Sequence, residues 1–145
     1  MGKSCLIENY LHSTFSDDYE PTVLDVYKGP KNINKHRVML EIHDTSGDEH
    51  LGTNRKVVYR GSDVFIICLA VDNRTSLENV GKWKNEVKEA DIDDDTPIIL
   101  MATKMDLREH INDPITADEV KKKRKEMGFT GSYETSSKEW EDFNV

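Results

Sequence analysis

Gly2, Lys3 and Ser4, at the head of the chain, have the types and spacing to hold a phosphate. They read as the end of a phosphate-binding loop of the form G-x-x-x-x-G-K-[ST]. The glycine lets backbone N–H groups close on phosphate oxygens, the lysine supplies a point charge, and the hydroxyl can take a place on Mg²⁺. A helix starting here would add its positive N-terminal end. Only the second half of the pattern is present, and such a tripeptide also arises by chance, so its weight depends on the polar clusters further along the chain.

Three such clusters come directly after segments that read as strands, where open α/β sheets bind ligands. The first is Asp44-Thr45-Ser46-Gly47. An aspartate at a strand end can reach Mg²⁺ through water, and a glycine N–H can meet a terminal phosphate. The second is Thr103-Lys104-Met105-Asp106. Its carboxylate can accept two N–H donors at once, as guanine offers along one edge, and the alkyl stem of Lys104 can lie over a flat base. Adenine cannot make that paired contact, which counts against an ATP-using kinase. The third is Thr135-Ser136-Ser137-Lys138, whose small residues let a backbone N–H approach a base oxygen. Taken singly, each cluster is an ordinary polar turn.

Alternating strand-like and helix-like segments must position these clusters. Residues 4–11 form a helix with Cys5, Leu6, Ile7, Tyr10 and Leu11 on a broad apolar face suited to burial. Val23 to Lys28 reads as a strand, Gly29-Pro30 and residues 32–35 as a turn, and Val38, Leu40 and Ile42 alternate in a second strand. Residues 48–56 read as polar and irregular. The apolar runs 64–71 and 97–102 suit strands covered on both faces. Between them Leu77, Val80, Trp83, Val87 and Ala90 make a helical stripe. Thr116 and Glu119 offer a capping box for a helix ending near Gly128. Residues 129–134 suit a short last strand, and Trp140 and Phe143 the opening of another helix. The pattern is that of a three-layer α/β domain spanning residues 1–145.

Bulk composition narrows the function classes. The 145 residues carry a net charge of −8, which argues against general nucleic-acid affinity. No apolar run is long enough for a membrane span, and no secretory signal opens the chain. Cys5 and Cys68 read as reduced thiols of a cytoplasmic protein. Asp91 and Asp93 to Asp95 lack the glycine and distal glutamate of a calcium loop. Lys121 to Lys125 point all round a helix and read as its solvated surface. The five histidines lack zinc-site spacing.

The order Gly2-Lys3-Ser4, Tyr19-Glu20-Pro21-Thr22-Val23, Asp44-Thr45-Ser46-Gly47, Thr103-Lys104-Met105-Asp106 and Glu134-Thr135-Ser136-Ser137-Lys138 resembles that of the Ras superfamily of small GTPases. The branch it is most similar to is Rho/Rac. Tyr19 to Val23, Thr103 to Arg108, Ser62 to Phe65 and the Leu77 to Val80 segment with Trp83 carry that likeness. The resemblance implies a P-loop fold with a mixed, mostly parallel sheet, and a GTP/GDP switch with Mg²⁺ that hydrolyses GTP in signalling to the actin cytoskeleton. It implies that Gly2, Lys3, Ser4 and Cys5 line the phosphates and that Ser4 and Thr22 coordinate Mg²⁺, with Asp44 behind them. Phe15 would pack on guanine, Gly47 would sense the γ-phosphate, Thr103, Lys104 and Asp106 would hold the base, and Ser136, Ser137 and Lys138 would meet its oxygen. Lys3, Thr22, Gly47 and Asp48 would be the catalytic group. Segments 15–27 and 44–60 would meet effectors, exchange factors and GTPase-activating proteins.

Against that family three departures are expected. The first strand, the front of the phosphate loop, the last helix and a lipidated tail would be missing, leaving a gap in the sheet, weaker nucleotide binding and no membrane anchor. Asp48 stands where the family's water-positioning glutamine belongs, which implies slow hydrolysis. The segment from Leu107 to Thr116 is too short for the inserted Rho helix. The competing reading is a non-hydrolysing protein-interaction module that keeps the switch surface without a working phosphate loop.

Overall fold

A computed structural model describes residues 2–14 and 21–139. The chain begins with α1 (Lys3–His12), then a hairpin of β1 (Leu24–Ile33) and β2 (His36–Thr45). A 3₁₀ turn (Glu49–Leu51) leads into α2 (Gly52–Tyr59). Next come β3 (Phe65–Ala70), α3 (Arg74–Glu78), α4 (Val80–Lys88), β4 (Ile98–Thr103), a 3₁₀ segment (Met105–Glu109), α5 (Ala117–Met127) and β5 (Gly131–Glu134).

The expected α/β class is found, but the strands form two sheets. β1 and β2 pair antiparallel, while β3, β4 and β5 form a parallel sheet in that order. Among the described residues no strand joins β2 to β3, so the gap anticipated in the sheet is present.

The core lies on one face of the parallel sheet. Phe65, Ile67 and Leu69 of β3 and Ile98, Leu100 and Ala102 of β4, at alternate positions, share that face. Val80, Val87, Val120 and Ile115 close over them, with Leu77 and Trp83 packed partly against the same cluster. The helical stripe read between residues 77 and 90 is therefore the core-facing side of α3 and α4. The opposite face departs from expectation. Val64 and Ile66, around the start of β3, are about half exposed, whereas Cys68 and Ala70 further along are buried, so β3 is covered on both sides only toward its end.

Other expectations are also corrected. Gly29-Pro30 lies inside β1, paired with Leu40 and Met39, while the turn is the dipeptide Asn34-Lys35, within the expected 32–35, with φ of 47° and 68°. Two positive φ values make the tight turn whose twist matches the flanking strands. Proline is tolerated in an edge strand such as β1, where one side of the backbone has no ladder to complete. The segment read as irregular, 48–56, holds the 3₁₀ turn and the first half of α2. In α1 only Asn9 is buried; Cys5, Leu6 and Ile7 are half-buried and Tyr10 is exposed. α5 has the expected capping box, Thr116 with Glu119, and ends on Gly128 in the left-handed region. Both cysteines are free thiols. Phe15, the rest of segment 15–20, Trp140 and Phe143 lie outside the described residues.

Candidate functional site

The phosphate-type residues sit where α1 begins. Gly2 adopts φ 73° as the N-cap of α1, and no side chain caps the helix there. A Cβ at this position would stand 3.4 Å from Thr103 Oγ1 at the end of β4. A left-handed backbone pressed against a neighbour is a place for glycine, and it leaves the first-turn N–H groups and the helix dipole free for an anion. Lys3 follows directly. Its charge acts on the Cys68 thiol in β3, which burial pushes up to about 11. The helix start thus lies against the end of β4, through Gly2 and Thr103.

Ser4 brings two distant segments together. Its hydroxyl donates to Asp44 Oδ2 at 2.5 Å and lies 2.9 Å from Thr22 Oγ1. Asp44 is 1% exposed, and its other oxygen, Oδ1, is buried without a hydrogen-bond partner. A buried carboxylate oxygen left unpaired is costly unless something occupies it. One carboxylate and two hydroxyls are hard oxygen donors. They suit Mg²⁺, which keeps several waters and phosphate oxygens instead of taking a full protein cage. Sequence reading placed Ser4, Thr22 and Asp44 in one set, and the structure brings them together.

Beyond β2, Gly47 and Asp48 are exposed. The Asp48 carboxylate accepts the His50 N–H at 2.9 Å and so caps the 3₁₀ turn. The turn is held from behind by Arg55. This side chain is 2% exposed and donates to the carbonyls of Ser46 and Asp48. Its other donors grip Glu86 in a two-pronged pair at 2.8 and 2.9 Å, and Tyr59 Oη donates to the same carboxylate at 2.8 Å. The Trp83 ring lies 4.9 Å from the guanidinium. Arg55 and Tyr59 hold the Glu86 carboxyl below its usual range. Sequence reading missed this cluster. Arg55 and Glu86 are 31 positions apart, and no local pattern joins them.

The base-type residues meet at the other end of the array. Lys104 takes φ 61° as β4 ends, and its Nζ lies 2.8 Å from Asp72 Oδ2 at the end of β3. Thr103 is buried and donates to the Leu69 carbonyl at 3.0 Å. Asp106 Oδ1 accepts the Ser136 hydroxyl at 2.6 Å, and Ser136 Oγ accepts the N–H groups of Lys138 and Glu139. The buried Asn9 of α1 donates to the Ser137 carbonyl at 3.0 Å. One helix thus carries the phosphate-type residues at its start and anchors the base-type loop further along. Neither Asp72 nor Asn9 was singled out by sequence.

Two open hollows lie away from this array. One, of about 730 Å³, runs between α2 and α4 beside His50, Lys56, Lys82 and Glu86; the other, of about 260 Å³, lies beside Lys84, Lys88, Asp94 and Thr130.

The described geometry thus has phosphate-type donors, a hard-cation corner and a base-type loop in sequence order along one side of the fold. The model of the Ras family matches residues 1–145. The chain belongs to the Ras family. It is therefore a small GTPase by class, a guanine-nucleotide switch, and a P-loop domain in fold. In this Ras-family chain no helix among the described residues is long and apolar enough to cross a membrane.

Proposed function

We propose that this chain is a Rho-like guanine-nucleotide switch, in which residues 1–145 form the GTPase domain and the Ser4, Thr22 and Asp44 corner receives Mg²⁺ with GTP or GDP. The observation that carries the reading is the buried, unpartnered Oδ1 of Asp44 beside two hydroxyls at the head of an uncapped helix. Gly2, Lys3, Ser4 and Cys5 would line the phosphates through the first-turn N–H groups and the Lys3 ammonium. Thr103, Lys104, Asp106 and the 136–138 loop would hold guanine, with Phe15 over it. Mg²⁺ would supply charge neutralisation on the phosphates during in-line attack by water. This chain's residues would fix the phosphate end against Lys3 and Thr22, meet the terminal phosphate through the Gly47 N–H, and leave Asp48 as the nearest group to orient water. The cytoplasmic setting and a role in actin signalling follow from Rho likeness. Effectors, exchange factors and GTPase-activating proteins would read segments 15–27 and 44–60.

The test is binding of a fluorescent guanine nucleotide to the purified chain with Mg²⁺, with and without EDTA. Tight binding lost on chelation and on Asp44→Ala supports the site. Equal binding of adenine and guanine nucleotides, or none of either, overturns it. One observation favours the second reading, a protein-interaction module that does not hydrolyse GTP. The Asp48 carboxylate is engaged in capping its own turn. Under that reading the phosphate loop does not work, so the chain purifies without nucleotide and GTP hydrolysis stays at the rate of free GTP.

A further inference from the structure

The far end of the β1–β2 hairpin differs in chemistry from the rest of the molecule. Residues 28–37 include Lys28, Lys31, Lys35 and Arg37 and no acidic residue. The whole chain carries −8, so with +4 in this stretch the remainder carries −12. Three apolar side chains stand exposed among these cations: Ile33 at 47%, Val38 at 36% and Met39 at 72%. Strand register puts Ile33 and Val38 on one face with His36, and Met39 on the other face with Arg37. The tip is therefore an apolar wedge collared by positive charge. Among the described residues, Lys35 and Arg37 have no carboxylate partner, whereas Lys28 is paired with Glu41 at 2.8 Å. Lys31 lies over the Tyr10 ring of α1 at 4.6 Å, which braces one side of the hairpin.

We propose that this tip, residues 31–39, is a docking surface for an anionic lipid bilayer. An anionic leaflet attracts basic side chains, and its headgroup region accepts exposed apolar ones. The acidic remainder is repelled by the same surface, so the molecule's own charge asymmetry would turn the hairpin toward the membrane. An extended nucleic acid would meet the repulsion without using Met39, Val38 or Ile33. The α5 run, Lys121 to Lys125, is as basic but differs in kind. Lys121 and Lys122 reach the helix's own Asp118 and Glu126, at 4.0 and 3.8 Å, and α5 displays no large exposed apolar side chain. His36 and Asp44 are eight residues apart along β2, about 27 Å at strand rise, so a docked tip leaves the Asp44 corner clear of the bilayer. This is peripheral contact and needs no spanning helix or lipid tail.

The experiment is flotation of the purified full chain with phosphatidylcholine vesicles, with and without phosphatidylserine, at low and high salt. The expected result is partitioning onto the phosphatidylserine vesicles that falls as salt rises. Each basic side chain near an anionic leaflet contributes about five-fold, so Lys35→Gln with Arg37→Gln should weaken partitioning about 25-fold. Met39→Asp should weaken it roughly ten-fold or more through lost apolar contact. The matched pair Lys121→Gln with Lys122→Gln should leave it unchanged. Thermal melts confirm that each variant folds. Absence of binding to anionic vesicles, equal binding to neutral ones, or equal loss from the α5 pair overturns the proposal. An inert Met39→Asp also overturns it, because attraction to any polyanion would then suffice.

Discussion

Asp48 follows Gly47 directly, and its carboxylate is spent on the His50 N–H. A glutamine there could present an amide to a water beside a terminal phosphate without adding negative charge. Losing one such transition-state donor costs on the order of 10²–10³ in rate. Asp48→Gln is therefore expected to raise single-turnover GTP hydrolysis by about 10². An unchanged rate would show that position 48 does not orient the attacking water. Arg55 is the second residue on which the turn depends. It is 2% exposed, and its partner Glu86 has a side chain 15% exposed. Removing one member of such a pair leaves the other buried and uncompensated, at about 3–5 kcal/mol. Arg55→Ala should lower the urea midpoint accordingly, and Arg55→Lys should rescue only part, since an ammonium cannot grip both carboxylate oxygens. If Arg55→Ala melts like the parent, Arg55 does not brace the 46–48 turn.

At the scale of elements, the hairpin and α5 illustrate what local sequence can and cannot reveal. The α5 boundaries were legible because Thr116, Glu119 and Gly128 satisfy the helix ends from within a few residues. The hairpin turn was legible only in part: residues 32–35, read as turn, hold Asn34-Lys35, but Gly29-Pro30, the stronger local turn signal, lies inside β1. Only the pairing of β1 with β2 shows that an edge strand can absorb that proline. α2 was missed for a related reason. It has no long apolar stripe: Val58 and Tyr59 reach the core only at its end, and Arg55 pairs across to α4. Lys35 at φ 68° carries a strain that glycine would not. Lys35→Gly should therefore stabilise the fold by roughly 0.5–1 kcal/mol, read as a higher denaturation midpoint. A lower midpoint would contradict the assigned turn. α5 also carries a pH response. The Thr116 N–H, with help from Arg74, holds the Glu119 carboxyl down to about 2 from 4.5. The folded state then binds fewer protons than the unfolded one between those values. The stabilisation is complete above pH 4.5 and fades as pH falls toward 2. Glu86, depressed mainly by Arg55, acts in the same direction. Glu119→Gln should flatten part of the acid loss of stability in urea melts taken from pH 6 to 3, and an unaltered pH profile would count against the capping box as its source.

Across the whole molecule, the placement of the candidate site residues was more legible than the sheet. Gly2-Lys3-Ser4, Asp44 to Gly47, Thr103 to Asp106 and Thr135 to Lys138 each follow or begin an element, so their order along the chain maps onto one side of the fold. The division into two sheets depends on which strand edges meet, and strand periodicity does not encode that. The division makes ligand linkage a sensitive measure. α1 touches Asp44 of the hairpin sheet through Ser4, and reaches the far end of the parallel sheet through Asn9 and Ser137. A nucleotide lying along that array would contact both bodies, and anything that binds the folded state alone adds RT ln(1 + [L]/Kd) to its stability. At a hundred times Kd this is about 2.7 kcal/mol, or roughly 9 °C in Tm for a chain of this size. GDP with Mg²⁺ should therefore raise Tm by about that much in a single cooperative transition, and EDTA should reverse it. Asn9→Ala should reduce the gain, because it frees the base-type loop from the helix that holds the phosphates. Two separate transitions, with only one moved by GDP, would instead mean that the sheets melt independently and that the nucleotide engages one of them alone.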